Sequence, residues 1–489
     1  MKKVTLFTLM MVILMFTSIT QAAYTVDRFV VCNATGDQEA PDIDGAWIVW
    51  QDKRTGSYPH IYGYSLADSE EVEICTDSGI TKIGPVVSGN KVVWRDDRNS
   101  QRDIYSFDLP SRTLLTEPNM PVNDSVDQQF PDISGNLTVY RYDDSYDDTY
   151  DNIYVYDSDP NTNQPVSAAS THQYEPAIDG AIVAWVEVAG VPQVYYRNVE
   201  TWTAVQTVGS GVYSQRYPAV SNGVIVWEED RGDPTDKDIY GYDPGAGIFP
   251  ICTAAGDQQY PAISGNIVAW QNAADDDIWA IDLDDMGAGS FRVSDGTGDN
   301  RQPAVSGKTI VWQHSGDIWK AELLDPSTVT VTDPNGGEWF LVGSDVVDVN
   351  WTTTGPVDEV LIEFSSDGKV TWTDVNTVEN TGNTGSYPWP IADVNSADCW
   401  IRVTNTADGE ATDTGNEAFE VYKVPDSITV TDPNGGEQFL AGSEIEIKWT
   451  STGGVSDVKI LFSSDNKQTW DIVTATTEND GEFIWDSNE

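Results

Sequence analysis

The residues best suited to binding chemistry are acidic and amide side chains that recur at one point of a repeated segment. They precede a strand-like run in several copies: Asp37, Gln38, Asp127, Gln128, Gln173, Gln215, Asp257, Gln258, Asp299 and Gln302. Carboxylates and amides suit the hydroxyl groups of a sugar or the backbone of a peptide. The alternative is that these residues cap backbone groups between neighbouring repeats. The sequence leaves both interpretations open.

A second candidate site is the acidic run between residues 143 and 151. It contains five carboxylates in nine residues: Asp143, Asp144, Asp147, Asp148 and Asp151. Carboxylate oxygens are ligands that Ca²⁺ prefers, although the spacing of an EF-hand loop is absent. Ca²⁺ is therefore the one cofactor that we consider. The competing interpretation is a solvated acidic loop.

No recognisable catalytic motif accompanies these residues. The sequence holds no Gly-Xaa-Ser-Xaa-Gly elbow, zinc-ligand motif or phosphate-binding loop. A catalytic site also needs one set of residues unlike the others, whereas the acidic and amide residues recur from copy to copy. The sequence therefore favours a non-catalytic protein, and we predict no catalytic residue.

The candidate residues belong to a repeat of 42 to 46 residues. Seven prolines mark it, each followed nine residues later by an aromatic side chain: Pro41, Pro85, Pro131, Pro176, Pro218, Pro261 and Pro303. Each copy predicts four short strands, and we expect the proline to open the first, where its missing N–H is tolerated. This length and strand count are typical of β-propeller blades.

The seventh copy lacks a clear fourth strand, and the start of the chain supplies one. Residues 28–33 match the fourth strand of other copies, and Gly36-Asp37-Gln38 follows them as Gly256-Asp257-Gln258 follows Cys252. We therefore predict an all-β fold: a seven-bladed β-propeller closed by its N-terminal strand, followed by immunoglobulin-like β-sandwich modules.

The repeat resembles the TolB-like propeller family. A proline-led strand, a turn glycine, an aromatic-ended strand and an Asp-Ile-Tyr strand carry the resemblance, which covers residues 24–324. Members of that family often have six blades, whereas this chain has seven copies. The resemblance implies a propeller fold and says little about function.

A different repeat follows residue 324. Residues 330–338, from Thr330 to Glu338, return as residues 429–437. The Pro-Asn-Gly-Gly-Glu start resembles sandwich modules related to the yeast cell-wall Kre9/Knh proteins. The second copy has no counterpart of residues 399–403 or 419–422, so we expect it to be truncated from a longer protein. The predicted domains are a signal peptide at 1–23, the propeller at 24–324, a sandwich at 327–424 and a second, truncated sandwich at 427–489.

Charge and targeting limit the partners. The formal net charge is −53, which repels nucleic acid and anionic lipid. The basic start and apolar run of residues 1–23 are typical of a cleavable secretory signal, and no other stretch predicts membrane insertion. We expect an extracellular or cell-surface location, with the periplasm as the alternative. The expected partners are a glycan or a protein.

Arginines and cysteines recur at fixed places in the repeat. Arg54, Arg98 and Arg231 each lie four residues after the strand-ending tryptophan, and we expect exposed ion pairs with residues such as Asp103 and Asp238. Three of the four cysteines occupy equivalent strand ends in different copies. Because such positions are too far apart for a disulfide, we interpret them as packing residues, although one pair stays open.

Three functions fit these observations. The leading hypothesis is a secreted or cell-surface binding protein, in which the propeller mouth binds a glycan or a protein and the sandwiches act as spacers or adhesion modules. An extracellular polysaccharide lyase or glycosidase on a propeller scaffold is the first alternative, because carboxylates are plentiful. A structural surface-layer component is the second.

Overall fold

The computed structural model describes most of the chain after the predicted signal peptide. The described residues are 24–98, 101–115, 126–143, 150–159, 161–167, 169–209, 211–231, 233, 235–342, 346–407, 409, 411–423, 426–453 and 455–487. In these ranges the chain is all-β, apart from one 3₁₀ turn at Leu283–Asp285. It divides into two compact units between Leu324 and Asp325. Residues 1–23 lie outside the described part.

Within the described residues, the first unit contains seven four-stranded antiparallel sheets in chain order. Sheets 1 to 3 comprise β2–β5 (Gln38–Asp44, Trp47–Asp52, His60–Ser65, Glu70–Cys75), β6–β9 (Lys82–Ser88, Lys91–Asp96, Asp103–Asp108, Thr113–Leu115) and β10–β13 (Asp127–Ser134, Leu137–Asp143, Asn152–Asp157, Thr162–Pro165). Sheets 4 to 6 comprise β14–β17 (His172–Asp179, Ile182–Val188, Gln193–Asn198, Gln206–Thr207), β18–β21 (Gln215–Ser221, Val224–Glu229, Asp238–Asp243, Gly247–Cys252) and β22–β25 (Gln258–Ser264, Ile267–Asn272, Asp277–Asp282, Phe291–Arg292).

Sheet 7 combines the two ends of the first unit. It contains β26 (Asn300–Ser306), β27 (Thr309–His314), β28 (Asp317–Leu324) and, as its outer strand, β1 (Thr25–Cys32). The strand β1 runs antiparallel to β28, with Thr25 opposite Leu324. The N-terminal segment thus supplies the strand that the seventh copy lacks, as its sequence predicts.

The first strands of the seven sheets form a cycle. Each contacts the first strand of the next sheet, and β26 contacts β2. At the end of each first strand, a serine or aspartate oxygen accepts a hydrogen bond from the backbone of the next sheet. The seven acceptor–donor pairs are Asp44–Gly89, Ser88–Gly135, Ser134–Gly180, Asp179–Asn222, Ser221–Gly265, Ser264–Gly307 and Ser306–Gly45.

The cores lie between consecutive sheets. The aromatic residue nine places after each marker proline is buried, with at most 1% of its surface exposed: Trp50, Trp94, Tyr140, Trp185, Trp227, Trp270 and Trp312. Trp50, for example, packs with Val311 and Ile318 of sheet 7. Each of these large side chains therefore bridges two sheets, which accounts for the aromatic residue at this position in all seven copies.

The marker proline does not open the first strand as we expected. In all seven sheets the pairing of the first two strands skips two residues, the proline and the residue before it. In sheet 1, for example, Pro41 is the fourth residue of β2. The proline lies in a β-bulge, where its missing N–H interrupts no ladder hydrogen bond.

The arginines pair with buried carboxylates, whereas we expected both partners to be exposed. Arg54 bonds Asp52, two residues earlier, at 2.6 Å, and the Asp52 side chain is fully buried. The Trp50 indole N–H donates to the same carboxylate, and the Arg54 guanidinium lies 4.0 Å from the Tyr62 ring centroid and donates to Cys32 Sγ at 3.3 Å.

The same arrangement recurs in two other sheets. Arg98 pairs with Asp96 at 2.6 Å and Arg231 with Glu229 at 2.8 Å. The carboxylate partner precedes the arginine by two residues in each case, so Asp103 and Asp238 are not the partners found here.

All four cysteines are free, three of them buried, and burial raises the pKa of the Cys32 thiol to about 11.

The second unit begins with two sheets that share one core. One contains β29 (Thr328–Asp333), β31 (Val346–Thr354) and β34 (Thr384–Pro390). The other contains β30 (Trp339–Leu341), β32 (Glu359–Ser365), β33 (Thr373–Glu379), β35 (Ser396–Asn405), β36 (Thr412–Thr414) and β37 (Phe419–Tyr422). Trp351 from the first sheet and Ile401 from the second lie in the same buried cluster.

The second copy of this segment has fewer strands. It contains β38 (Ser427–Asp432), β39 (Glu444–Thr452) and β42 (Glu482–Asp486) in one sheet, and β40 (Asp457–Phe462) with β41 (Asp471–Glu478) in the other. Among the residues that the structure describes, nothing occupies the places of β35 and β37. None of the described residues forms a helix long and apolar enough to cross a membrane.

Candidate functional site

The residue before each marker proline has the same unusual backbone conformation in all seven sheets. Its φ lies between 49° and 59°: Ala40, Gly84, Phe130, Glu175, Tyr217, Tyr260 and Gln302. We call these seven the bulge residues. Six of them carry side chains, which rarely adopt positive φ, and such strain is commonly found at functional sites. Because each first strand contacts the next, successive bulge residues lie on neighbouring strands.

The bulge residues of sheets 4 to 6 form a connected cluster. The rings of Tyr217 and Tyr260 lie 4.7 Å apart at an angle of 59°, and each residue is 37% exposed. The Tyr217 backbone N–H donates to Glu175 Oε2 at 2.7 Å, and Arg216 pairs with Glu175 Oε1 at 3.1 Å. These bonds hold the positive φ of Tyr217 and fix two aromatic faces beside a carboxylate.

A third aromatic side chain, Phe130, is 55% exposed on the bulge of sheet 3. The Arg141 guanidinium lies 5.1 Å from its ring centroid and 5.4 Å from that of Tyr174. Arginine over an aromatic face is a favourable cation–π arrangement. The exposed face of Phe130 is therefore held in place by its neighbours while remaining open to a ligand.

A buried carboxylate lies next to the tyrosine pair. Glu228 is 3% exposed, and its Oε1 pairs with Lys237 Nζ at 3.1 Å. Glu228 Oε2 is buried, and the backbone N–H of Tyr260 interacts with this carboxylate and acts to lower its pKa. Burial raises the pKa of Glu228, Lys237 opposes the rise, and the negative charge of Glu175 adds to it. A carboxyl group with a raised pKa keeps its proton to a higher pH than an ordinary glutamate, as a general acid requires.

Two further carboxylates lie just after the marker prolines on first strands. Asp42 Oδ2 accepts the Val87 backbone N–H at 2.7 Å, and Asp132 Oδ2 accepts that of Ile178 at 2.8 Å. Burial raises the pKa of Asp42 to about 7, with a contribution from the charge of Asp132, and that of Asp132 to about 6. These groups differ from the apolar residues at the same position of the other five sheets.

Replacing Asp42 with asparagine is expected to stabilise the protein above pH 7 by about 1–2 kcal/mol, and not at pH 4. Because the folded-state pKa is raised, the native protein loses stability as pH increases from about 4 to 7. An asparagine at position 42 does not ionise, so the native protein no longer loses stability as pH rises. Its side-chain oxygen still accepts the Val87 N–H. Thermal unfolding between pH 4 and 8 measures the effect. An equal gain for D44N, or a gain independent of pH, would contradict this explanation.

The structure buries most of the glutamines that the sequence singles out. Gln38, Gln128, Gln173, Gln215 and Gln258 are at most 1% exposed. Three of them accept a backbone N–H of the preceding sheet, at 3.2 Å for Gln128, 2.9 Å for Gln173 and 2.9 Å for Gln215. The other two donate to a nearby glycine carbonyl. Their surroundings favour the capping interpretation over direct ligand contact.

The acidic members of the predicted binding set lie nearer the surface than its glutamines. Asp127 pairs with Arg102 at 3.3 Å, Asp257 accepts the Lys237 N–H at 3.1 Å, and Asp299 accepts from Arg301 Nε at 2.5 Å. Asp37 is exposed. Gln302 differs from the five glutamines above because it is an exposed bulge residue. Ligand contact by these residues stays a prediction.

The acidic run of sheet 3 is described only at its ends. Asp144, Asp147 and Asp148 lie outside the described residues. Burial raises the pKa of Asp143, with a further contribution from the charge of Asp151, and Asp151 lies 3.2 Å from His172 Nδ1. Among the described residues, no group of three or more metal-ligating side chains could hold a metal ion. The Ca²⁺ prediction is therefore untested.

Sequence reasoning missed the bulge residues as a set. The signal was present, because the position before each marker proline varies among Ala, Gly, Phe, Glu, Tyr and Gln while the proline itself recurs. Side chains that vary on a constant backbone are typical of binding sites in repeat proteins. Only Gln302 of this set was among the predicted binding residues.

Comparisons with solved structures find distant matches. The oligogalacturonate lyase of Vibrio parahaemolyticus matches at 10% identity with a TM-score of 0.45, covering 61% of this chain and 97% of that chain. The β-propeller domain of the Trilobed protease of Pyrococcus furiosus matches at 11% identity with a TM-score of 0.43, and the match covers 56% of this chain and 95% of that chain. A putative TolB of Agrobacterium tumefaciens matches at 17% identity with a TM-score of 0.36, and the match covers 50% of this chain and 94% of that chain.

These neighbours include β-propeller proteins. At such identities and TM-scores, the similarity carries no argument about activity, ligand or blade number. No protein-family profile matches the chain. No curated protein matches it either. Function must therefore be argued from the residues of this chain.

Proposed function

We propose that this chain is an exported glycan-binding protein whose binding site is formed by the bulge residues. The observation that carries the proposal is the set of exposed aromatic residues, Phe130, Tyr217 and Tyr260, on strained backbone at equivalent positions of three sheets. Aromatic faces pack on the apolar faces of sugar rings, and adjacent carboxylates, amides and guanidinium groups bond hydroxyls. Such a site combines both kinds of group.

In this proposal the first unit is a closed seven-bladed β-propeller. The cycle of first strands, the seven links between neighbouring sheets and the pairing of β1 with β28 support it. The bulge residues then form the mouth of the central channel, a common place for ligands in concave sites. Residues 1–23 act as the signal peptide, and the modules at 327–424 and 427–489 are immunoglobulin-like spacers at the cell surface.

A glycan screen of the purified full chain, with and without Ca²⁺, tests the proposal. We expect one glycan class to bind, and the double variant Y217A/Y260A to lose that binding while unfolding at the same temperature as the native protein. Dependence on Ca²⁺ would indicate a role for the acidic run at 143–151. The absence of any glycan ligand would reject the proposal and favour a protein partner.

Glycoside hydrolysis is the second candidate, because Glu228 is buried with a raised pKa beside Glu175. A protonated carboxyl group and an ionised one on either side of a glycosidic bond are the basic machinery of glycosidases. If the chain hydrolyses the glycan that it binds, E228Q is expected to lower the rate about 100-fold or more while binding persists. Reducing-sugar release by the native protein and by E228Q measures this. If the native protein releases no reducing sugar, the hydrolysis candidate is rejected and only the binding proposal stands.

A further inference from the structure

Two arginines occupy the same position of neighbouring sheets, one residue after the core aromatic. Arg95 lies in sheet 2 and Arg141 in sheet 3, where the other five sheets carry Gln51, Val186, Glu228, Gln271 and Gln313. In every sheet this position pairs with the residue just before the bulge residue, as Arg95 pairs with Ile83. The two arginines therefore lie beside the bulge residues.

Neither guanidinium group is fully bonded. Arg95 Nε lies 3.4 Å from Asp97 Oδ1. Arg141 Nη2 lies 3.4 Å from Asp143 Oδ2. By comparison, Arg98 donates to its carboxylate partner from Nε and Nη2, at 3.0 and 2.6 Å. The Nε atoms of Arg95 and Arg141 are buried without a hydrogen-bond partner among the residues that the structure describes. Buried donors without an acceptor are costly, so an acceptor on a ligand is favoured here.

The surroundings of Arg95 compensate its charge incompletely. Its side chain is 16% exposed, and burial lowers its pKa although the charges of Asp97 and Asp127 oppose the change. A guanidinium group presents several N–H donors in a planar fork, which fits the oxygens of an anionic group. An anion at this place supplies both the missing acceptors and the missing charge.

An open space adjoins Arg95. In sheet 3 the Arg141 guanidinium lies 5.1 Å from the ring centroid of the bulge residue Phe130. In sheet 2 the bulge residue is Gly84, and apart from its chain neighbours no atom lies within 4 Å of where its Cβ would be. Strand β7, which carries Arg95, contacts β10, which carries Phe130. The missing side chain of Gly84 thus leaves room next to Arg95 and close to an exposed aromatic ring.

We propose that Arg95 and Arg141 bind an anionic group of the glycan, a carboxylate or a sulfate ester, beside the ring of Phe130. This inference rests on the glycan-binding function proposed above and adds the charge of the ligand. The apolar face of a sugar ring packs on Phe130, and the anionic group accepts N–H groups from the two arginines. The space at Gly84 admits the charged substituent.

The overall charge of the chain requires this recognition to be local. The formal net charge of −53 repels anions at long range. At an ionic strength of about 0.15 M, exposed charges more than about 8 Å apart are largely screened, whereas the two arginines act on a ligand at contact distance. Short oligosaccharides at this ionic strength are therefore the appropriate ligands.

Titration calorimetry of the full chain with matched oligosaccharides tests the proposal. The probes are a uronic acid oligomer with its carboxyl-reduced counterpart, and a sulfated oligomer with its desulfated counterpart. We expect one anionic probe to bind at least 30-fold more tightly than its neutral counterpart. The pair that shows this preference distinguishes a carboxylate from a sulfate ester.

Glutamine is the matched substitution for both arginines, because sheets 1, 6 and 7 carry glutamine at the same position. R95Q/R141Q is expected to weaken binding of the anionic probe at least 30-fold and to leave binding of its neutral counterpart unchanged. R112Q is the control, since the Arg112 side chain is 61% exposed in the turn before β9, and it is expected to change neither.

A second variant keeps both arginines and closes the space. G84Y places a ring beside Arg95 as Phe130 lies beside Arg141, and it is expected to weaken binding of the anionic probe at least 10-fold. The backbone accepts this side chain, because Tyr217 and Tyr260 occupy the same position of sheets 5 and 6 with φ of 49° and 51°.

Equal binding of the anionic and neutral probes, or a neutral glycan as the only ligand, would overturn this inference and leave the glycan-binding function intact. Full retention of anionic binding by R95Q/R141Q would overturn it as well. The comparison on the native protein needs no variant, so it decides the question even if R95Q/R141Q does not fold. The absence of any glycan ligand would reject the glycan-binding function together with this inference.

Discussion

Replacing Arg54 with alanine is expected to lower the free energy of unfolding by about 3–5 kcal/mol at pH 7, because it leaves the charge of Asp52 buried without its partner. The Asp52 side chain is fully buried, whereas that of Arg54 is 21% exposed. The lost contact with Tyr62 adds to the effect. Denaturant unfolding followed by tryptophan fluorescence measures it. R112A is the control, since Arg112 and Glu70 lie 3.7 Å apart and are each 61% exposed, and it is expected to cost less than about 1 kcal/mol.

The same variant has a defined pH dependence. Burial acts to raise the pKa of Asp52, but the hydrogen bonds from Arg54 and Trp50 prevail, so its pKa in the native protein lies below the usual value. The pair therefore stabilises the fold above about pH 4, and this contribution is lost as pH falls through the folded-state pKa. The native protein and R54A should converge in stability at acid pH. A constant difference from pH 3 to 8 would show that packing, not charge, explains the loss.

Alanine at Tyr217 or Tyr260 is expected to weaken glycan binding about 10- to 100-fold for each residue, or roughly 1.4–2.8 kcal/mol. Each ring is 37% exposed, so its loss creates little cavity in the core. The two rings contact each other, and the double variant should lose less than the sum of both effects. Titration calorimetry with the glycan found in the screen measures these losses.

Two substitutions define the specificity of that result. F29A removes an exposed aromatic residue from β1, the outer strand of sheet 7, and is expected to leave binding unchanged. F130A tests whether the site extends to sheet 3, and a loss comparable to that of Y217A is expected. Equal losses for F29A and Y217A would mean that the aromatic bulge residues have no special role.

Much of the first unit could be predicted from the repeat. The proline and the aromatic nine residues later marked seven equivalent segments, and the match of residues 28–33 to the fourth strands predicted the pairing with β28. Both follow from local similarity, which a sequence displays directly. The all-β nature of the second unit followed in the same way from its own repeat.

The candidate site could not be predicted in the same way, because its position depends on the bulge. Successive side chains of a regular strand alternate between the two faces of the sheet. The bulge at Pro218 shifts that alternation and leaves Tyr217 partly exposed to solvent. Likewise, the burial of Gln215 depends on the Val194 N–H of another sheet, which no local pattern reveals. Arg54 was assigned an exposed role because it follows β3 in a turn, and the sequence does not show that it folds back onto the buried Asp52 at the end of that strand.

The pairing of β1 with β28 has a mechanical consequence. Leu324 ends β28 and leads directly into the second unit, so tension along the chain from that unit enters the first unit through this strand. Without β1, β28 would be an edge strand that peels away from β27 alone. With β1 in place, the loaded strand is hydrogen-bonded on both sides, and extraction must strip both neighbours. The strand β1 thus clamps the strand through which tension from the second unit would enter the first.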